Sequence, residues 1–211
     1  MDPFQESLLK AISYVKEYKK QIMLALGALV AVIAIFSGIM ASFAHSENKA
    51  SNLVAQASAK YDAIQDPQKG FEAVKDDFQA VFEDFSNTSA GRLARVKFAK
   101  ICFDAAQYDM AFDMYEKAYD IFKKEPGLKN FLLASLGNVS LAKKEFDKAR
   151  SYFSQIEASS SDLSKDGALF ALAGLHDAEN KTDAGRKLYK KLVSDYEDSI
   201  YRDIAKAKSS N

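Results

Sequence analysis

Apolar positions change their spacing once along the chain. From Ile22 to Ala44 the run IMLALGALVAVIAIFSGIMASFA is uncharged and almost wholly apolar, whereas from about residue 48 onward apolar and polar residues alternate at the three-and-four spacing of amphipathic helices. The 23 residues of the first run would form a helix of about 34 Å, long enough for a hydrocarbon core of roughly 30 Å with some tilt. The second pattern predicts helices over residues 48–65, 67–85, 89–105, 108–124, 128–143, 145–158, 163–179, 182–195 and 198–208. The punctuation agrees: Asp66-Pro67 can cap and open a helix, Glu125-Pro126-Gly127 interrupts one, and ASSSDLSKDG from Ala158 to Gly167 reads as a loop with a new start.

A longer period underlies the helical one. An aromatic, a small residue, an aromatic and an apolar residue recur at intervals of three, four and three: Phe71, Val74, Phe78, Val81; Tyr108, Ala111, Tyr115, Ala118; Phe146, Ala149, Phe153, Ile156; and, degenerate, Thr182, Gly185, Tyr189, Leu192. The copies lie 37, 38 and 36 residues apart. About twelve residues before the small residue of each later copy stands another, Ala99, Gly137 and Ala173, each preceded by a bulky Phe98, Leu136 or Leu172. Two helices that each carry a small residue can cross closely, with the aromatic one turn on filling the space beside the crossing. FEDFSNTSAGRLA (82–94) is echoed by VSDYEDSIYRDIA (193–205), which makes the last stretch a capping helix rather than a tail.

This pattern resembles the tetratricopeptide repeat, whose period is about 34 residues. The match covers roughly Ser51 to Lys208 and departs from the consensus in having no tryptophan, Asp62 where the first copy should be small, and Thr182 where the last should be aromatic. The resemblance implies an all-α chain with an α-solenoid of about four helix pairs plus a capping helix, and the apolar run places one transmembrane helix before it. Residues 1–21 are then a cytoplasmic stub, 22–44 a transmembrane helix and 45–211 a periplasmic repeat domain.

The orientation follows from lysines. Lys10, Lys16, Lys19 and Lys20 precede the apolar run, whereas only Lys49 and Lys60 lie close after it, which favours a cytoplasmic amino-terminal side. Ser42-Phe43-Ala44 could suit a signal peptidase, but about twenty residues before a long apolar stretch fit an uncleaved anchor better than a secretory signal. Ala34, Gly38 and Ser42 recur every fourth residue and could admit a second spanning helix, but Gly, Ala and Ser are common in any spanning helix and a plain anchor is the better explanation.

Charge changes this picture little. Beyond residue 21 there are 25 basic and 26 acidic residues, so nucleic acid is not an expected partner. Cys102 is the single cysteine, lies on an apolar helical face and can form no internal disulfide. The two histidines are isolated: His45 would sit at the membrane surface, and His176 and Asp177, adjacent on a helix, point about 100° apart. No cofactor, metal or catalytic constellation is expected, and the chain reads as a non-enzymatic protein-interaction module.

In such arrays the first helix of each pair lines a concave side. The residues flanking the small crossing positions are Val96, Lys100 and Phe103, then Phe131, Ala134, Asn138 and Leu141, then Phe170 and Asp177. These form a candidate groove for an apolar or amphipathic protein segment, although an aromatic at helical spacing more often belongs to the core.

The lysine-flanked run Ile22 to Ala44, the stretch DFSNTSAGRLARVKFAK from Asp84 and YDMAFDMYEKA from Tyr108 together resemble the ancillary Sec-translocon subunit family of bacterial inner membranes, the YfgM-like proteins. That resemblance implies association with translocon subunits and with a membrane-anchored periplasmic chaperone, and no catalytic residues. The alternative is a self-assembling envelope scaffold for division or secretion sites, a homo-oligomer built through the Ala34, Gly38, Ser42 face.

Overall fold

A computed structural model describes residues 2–210. Among them every regular element is helical: α1 (Pro3–Glu17), α2 (Lys19–Asp62), α3 (Pro67–Asp84), α4 (Ser89–Asp104), α5 (Tyr108–Phe122), α6 (Pro126–Ala142), α7 (Phe146–Glu157), α8 (Lys165–Ala178), α9 (Thr182–Asp195) and α10 (Arg202–Ser210). The chain divides into two units, Met1–Lys49 and Ala50–Asn211, with the boundary inside α2.

In the first unit, residues 1–21, expected as a stub, contain a helix. Asp2 caps it by accepting the Phe4 amide, and Pro3 occupies its first turn, the same Asp-Pro device that opens α3. α2 then begins three residues before the apolar run and continues past it, so the segment expected to start at residue 48 is the end of a longer helix. By length and composition α2 could cross a membrane, and Met23 to Phe43 leave their large apolar side chains exposed.

The second unit is a stack of helix pairs in chain order: α4 packs on α5, α6 on α7 and α8 on α9, while α3–α4, α5–α6, α7–α8 and α9–α10 link one pair to the next. Each small residue singled out by the repeat lies at a crossing. Ala99, Ala111, Ala149 and Ala173 are fully buried, as are Gly137 and Gly185. A Cβ on Gly137 would come within 2.7 Å of the Phe153 ring, so the aromatic of α7 rests directly on the bare backbone of α6. At Gly185 the obstacle is partly backbone, the Ala173 carbonyl 3.0 Å away.

Within these pairs one turn recurs. Ala106, Lys144 and Asn180 adopt left-handed φ angles of 57°, 61° and 59°, and after each the next amide reaches back five residues: Gln107 N–H to Cys102 O (2.8 Å), Glu145 to Ser140 (2.8 Å) and Lys181 to His176 (2.9 Å). This is the Schellman closure of a helix end, and it turns the second helix back along the first. The left-handed residues are 38 and 36 residues apart, the sequence period itself.

The first pair departs from the pattern where the sequence did. Asp62 ends α2, and the buried small residues on it are Ala50, Ala57 and Ser58. The stack joins the next pair through aromatics, Phe78 lying 5.1 Å from Phe98 and Phe71 lying 6.0 Å from it. The 82–94 and 193–205 echo is structural as well. Thr88 and Ser199 occupy matching turns, with Thr88 N–H on Phe85 O and Ser199 N–H on Tyr196 O, and Ala94 and Ala205 are both buried.

Crossings and turns respond oppositely to substitution. Ala111→Leu and Ala149→Leu should each lower stability by about 1–3 kcal/mol by overpacking a closed crossing, measured by denaturant unfolding. Ala106→Gly should raise it by about 0.5–1 kcal/mol in the same measurement, because it removes Cβ strain from a left-handed residue.

Candidate protein-binding groove

The period that places small residues at crossings also places one other set of residues on a shared face. Shifting by the repeat interval carries Leu93 to Phe131 and Gly167, Val96 to Ala134 and Phe170, Lys100 to Asn138 and Gly174, and Phe103 to Leu141 and Asp177. On α6 this set falls at intervals of three, four and three, a single helical stripe. All its members are half-buried or exposed; none belongs to the fully buried core.

Three cavities open along this face. The first, about 550 Å³, is lined by Ser51 and Val54 of α2, Leu93, Val96, Lys97 and Lys100 of α4, and Phe131 of α6. Its walls are chiefly hydrocarbon, and Leu93 (47 %) and Phe131 (43 %) stay well exposed where a core side chain would be covered. Lys100 is held by its own helix neighbour Asp104, at 2.5 and 2.6 Å, so its aliphatic stem lines the wall while its charge is already paired.

The second and third cavities, about 420 and 380 Å³, lie between α6, α8 and the start of α10, and share Asn138, Gly167 and Tyr201. Ala134, Leu163 and Ile200 belong to the second; Leu141, Phe146, Phe170 and Gly174 to the third. Here the charges are acidic: Asp198 and Asp166, the latter accepting the Ser199 hydroxyl at 2.7 Å. Phe170 is fixed by stacking on Tyr201 at 4.7 Å. The Leu163 wall is held by Asn130, whose buried side-chain amide donates to Ser159 Oγ (2.8 Å), Ser161 O (3.2 Å) and Leu163 O (3.0 Å).

The structure therefore sets Val96, Lys100, Phe131, Ala134, Asn138, Leu141 and Phe170 along the cavities and directs two other groove candidates elsewhere. Phe103 turns its ring onto Tyr108, 5.7 Å away, and packs against the core. Asp177 faces the α9–α10 side, accepting Tyr189 Oη and Lys208 Nζ at 3.1 Å each. The Tyr189 hydroxyl is raised above its ordinary pKa, first by burial and then by this acceptor. Leu93, Gly167, Gly174 and Tyr201 were missed by the sequence reading. The repeat interval points to the first three, and the 82–94 echo points to Tyr201, which it pairs with the cavity residue Ala90.

Among the described residues no cluster of three or more His, Cys, Asp or Glu side chains could hold a metal ion. Cys102 is fully buried, and burial pushes its thiol up to about 12.

An array of helix pairs with one apolar face left open defines an interaction repeat protein. The sequence matches the tetratricopeptide repeat-like domain family over residues 13–208, and the chain belongs to that family. Two crystal structures of a Podosopora anserina protein described as a kinesin light chain with nearly identical TPR-like repeats are similar in fold. One, of a substituted form, gives a TM-score of 0.58 at 15% identity, covering 75% of this chain and 82% of that one. The other gives 0.57 with the same identity and coverage. No curated protein matches the chain. Repeat proteins of this class are typically non-catalytic scaffolds that bind other proteins.

The buried thiol makes a direct check on this packing. In the folded protein, Cys102 labelling by a thiol reagent should stay slow and rise little between pH 7 and about 9.5, the range in which a free cysteine of pKa about 8.5 becomes thiolate. Denaturant should restore ordinary reactivity.

Proposed function

We propose that this protein is a membrane-anchored adaptor of the bacterial inner membrane, which holds protein segments near the Sec translocon through the α4–α6–α8 face. The observation that carries the reading is the row of equivalent positions, Leu93, Phe131 and Gly167 with Val96, Ala134 and Phe170, which opens into cavities, the largest of them walled chiefly by hydrocarbon, where a sealed core would have none. Its ligand is an amphipathic or apolar segment, for example part of a client or of a periplasmic chaperone. In this reading Ile22 to Ala44 of α2 is an uncleaved anchor and the lysines before it keep that side cytoplasmic. The repeat unit then lies in the periplasm, as expected of a YfgM-like translocon subunit.

Photocrosslinking in native membranes tests this. A crosslinker at Phe131, with one at the exposed Lys148 as control, should capture translocon subunits or an envelope chaperone from the first site alone. Gly174→Leu should lower that capture without unfolding the protein, because a Cβ at Gly174 meets nothing within 4 Å. Capture of cytoplasmic proteins would invert the topology. Equal capture from both positions would remove the groove.

A self-assembling scaffold is the second reading. Ala34, Gly38 and Ser42 are exposed on α2, and a Cβ at Gly38 meets nothing within 4 Å, so that face is free to receive another helix. Oligomers that collapse in Gly38→Leu, with self-crosslinks from α2, would favour it; monomers in mild detergent would exclude it.

A further inference from the structure

We propose that α1 is an interfacial helix, lying in the headgroup region of the membrane that α2 enters, with its apolar arc in the lipid. This rests on the anchor reading of α2 given above. Phe4, Val15, Leu8 and Ile12 fall within about 80° of one another on the helical wheel, while Glu6, Ser13, Glu17 and Lys10 fill the opposite side. The four apolar side chains are 71, 54, 51 and 46 % exposed, so none of the described residues covers them.

Several observations make a lipid surface the occupant. The first is continuity: only residues 18–21 separate the end of α1 from Ile22, where the apolar run begins. A helix tethered that closely to a spanning segment meets the bilayer surface at high effective concentration. The second is the junction. Tyr18, with φ −99° and ψ 14°, leaves the helical well, which lets α1 and α2 take different directions. Around it stand Tyr14 and Tyr18, their rings 4.6 Å apart, together with Lys16, Lys19 and Lys20. Tyrosines and snorkelling lysines are the side chains that settle at headgroup depth. The third is the polar side, where Lys10 pairs with Glu6 at 2.9 Å along the helix itself and needs no partner.

Charge sets the character of the binding. Within α1, Lys10 and Lys16 are balanced by Glu6 and Glu17, so apolar insertion rather than attraction to anionic lipid drives it. The association should therefore occur on zwitterionic lipid and persist in high salt.

The test uses the full chain reconstituted in phosphatidylcholine vesicles, with a polarity-sensitive fluorophore on a cysteine introduced at Leu8, Ser13 or Ile33, and lipids carrying quenchers at shallow or deep positions. Cys102 stays in place, since its burial keeps it unlabelled. The proposal expects Leu8→Cys to be blue-shifted and quenched by the shallow quencher, Ser13→Cys to remain water-like, and Ile33→Cys to be quenched by the deep one, all unchanged in molar salt. Leu8→Cys and Ser13→Cys both water-like while Ile33→Cys is deep would overturn the interfacial helix and leave the anchor standing. A water-like Ile33→Cys would overturn the anchor. Leu8→Cys shielded from water but not quenched by lipid, with the shielding lost when protein is diluted among the vesicles, would replace the lipid surface by a second copy of the chain.

Discussion

Close approach of two helix backbones is the constraint on which the repeat unit depends. Gly137 lets the Phe153 ring sit where any side chain would stand, Gly185 lies over the Ala173 carbonyl, and Ala99, Ala111, Ala149 and Ala173 are fully buried. The helices that cross at that distance are joined by short turns, closed at the left-handed residues Ala106, Lys144 and Asn180. A side chain larger than methyl at the crossing would separate the pair and strand the aromatics meant to fill the space beside it.

The same constraint produces the open face. With the small residues and one aromatic stripe of each pair spent on the crossing, a second stripe on α4, α6 and α8 is only partly covered, Phe103 by Tyr108 and Phe170 by Tyr201. That stripe varies where the crossing does not: Leu93, Phe131 and Gly167 occupy one equivalent position, Lys100, Asn138 and Gly174 another. Cavities open where these residues are small or stand apart, walled by hydrocarbon around α4 and carrying Asp166 and Asp198 where α8 meets the turn before α10. Ion pairs between neighbouring repeats, such as Lys191 with Glu157 and Lys208 with Asp177, are solvent-exposed; each contributes a few tenths of a kcal/mol up to about 1 kcal/mol, so packing rather than charge holds the stack.

The other unit follows different rules. In α2 the apolar side chains face outward along the whole run, and in α1 they face outward on the Phe4, Leu8, Ile12, Val15 arc and at Leu9 beside it. Neither helix buries that surface against protein within its own unit, and the buried core of the chain begins at Ala50.

The helices and their register were legible in the amino-acid order. Amphipathic spacing located α3 to α10 to within a few residues, Asp66-Pro67 marked a start, and the interval of 36 to 38 residues named the crossings, because a helix period and a steric need for small side chains are local properties. A signal for α1 was present too, the Asp2-Pro3 cap with Phe4, Leu8, Ile12 and Val15, but it was eclipsed by the stronger apolar run beside it. Which members of the exposed stripe form a cavity emerged only from the packed helices. Phe103, Leu141 and Asp177 are equivalent by period, yet one packs on Tyr108, one lines a cavity, and one turns toward Tyr189 and Lys208. A side chain's final direction depends on what the adjoining helices offer it, and that is a property of neighbours brought together by folding.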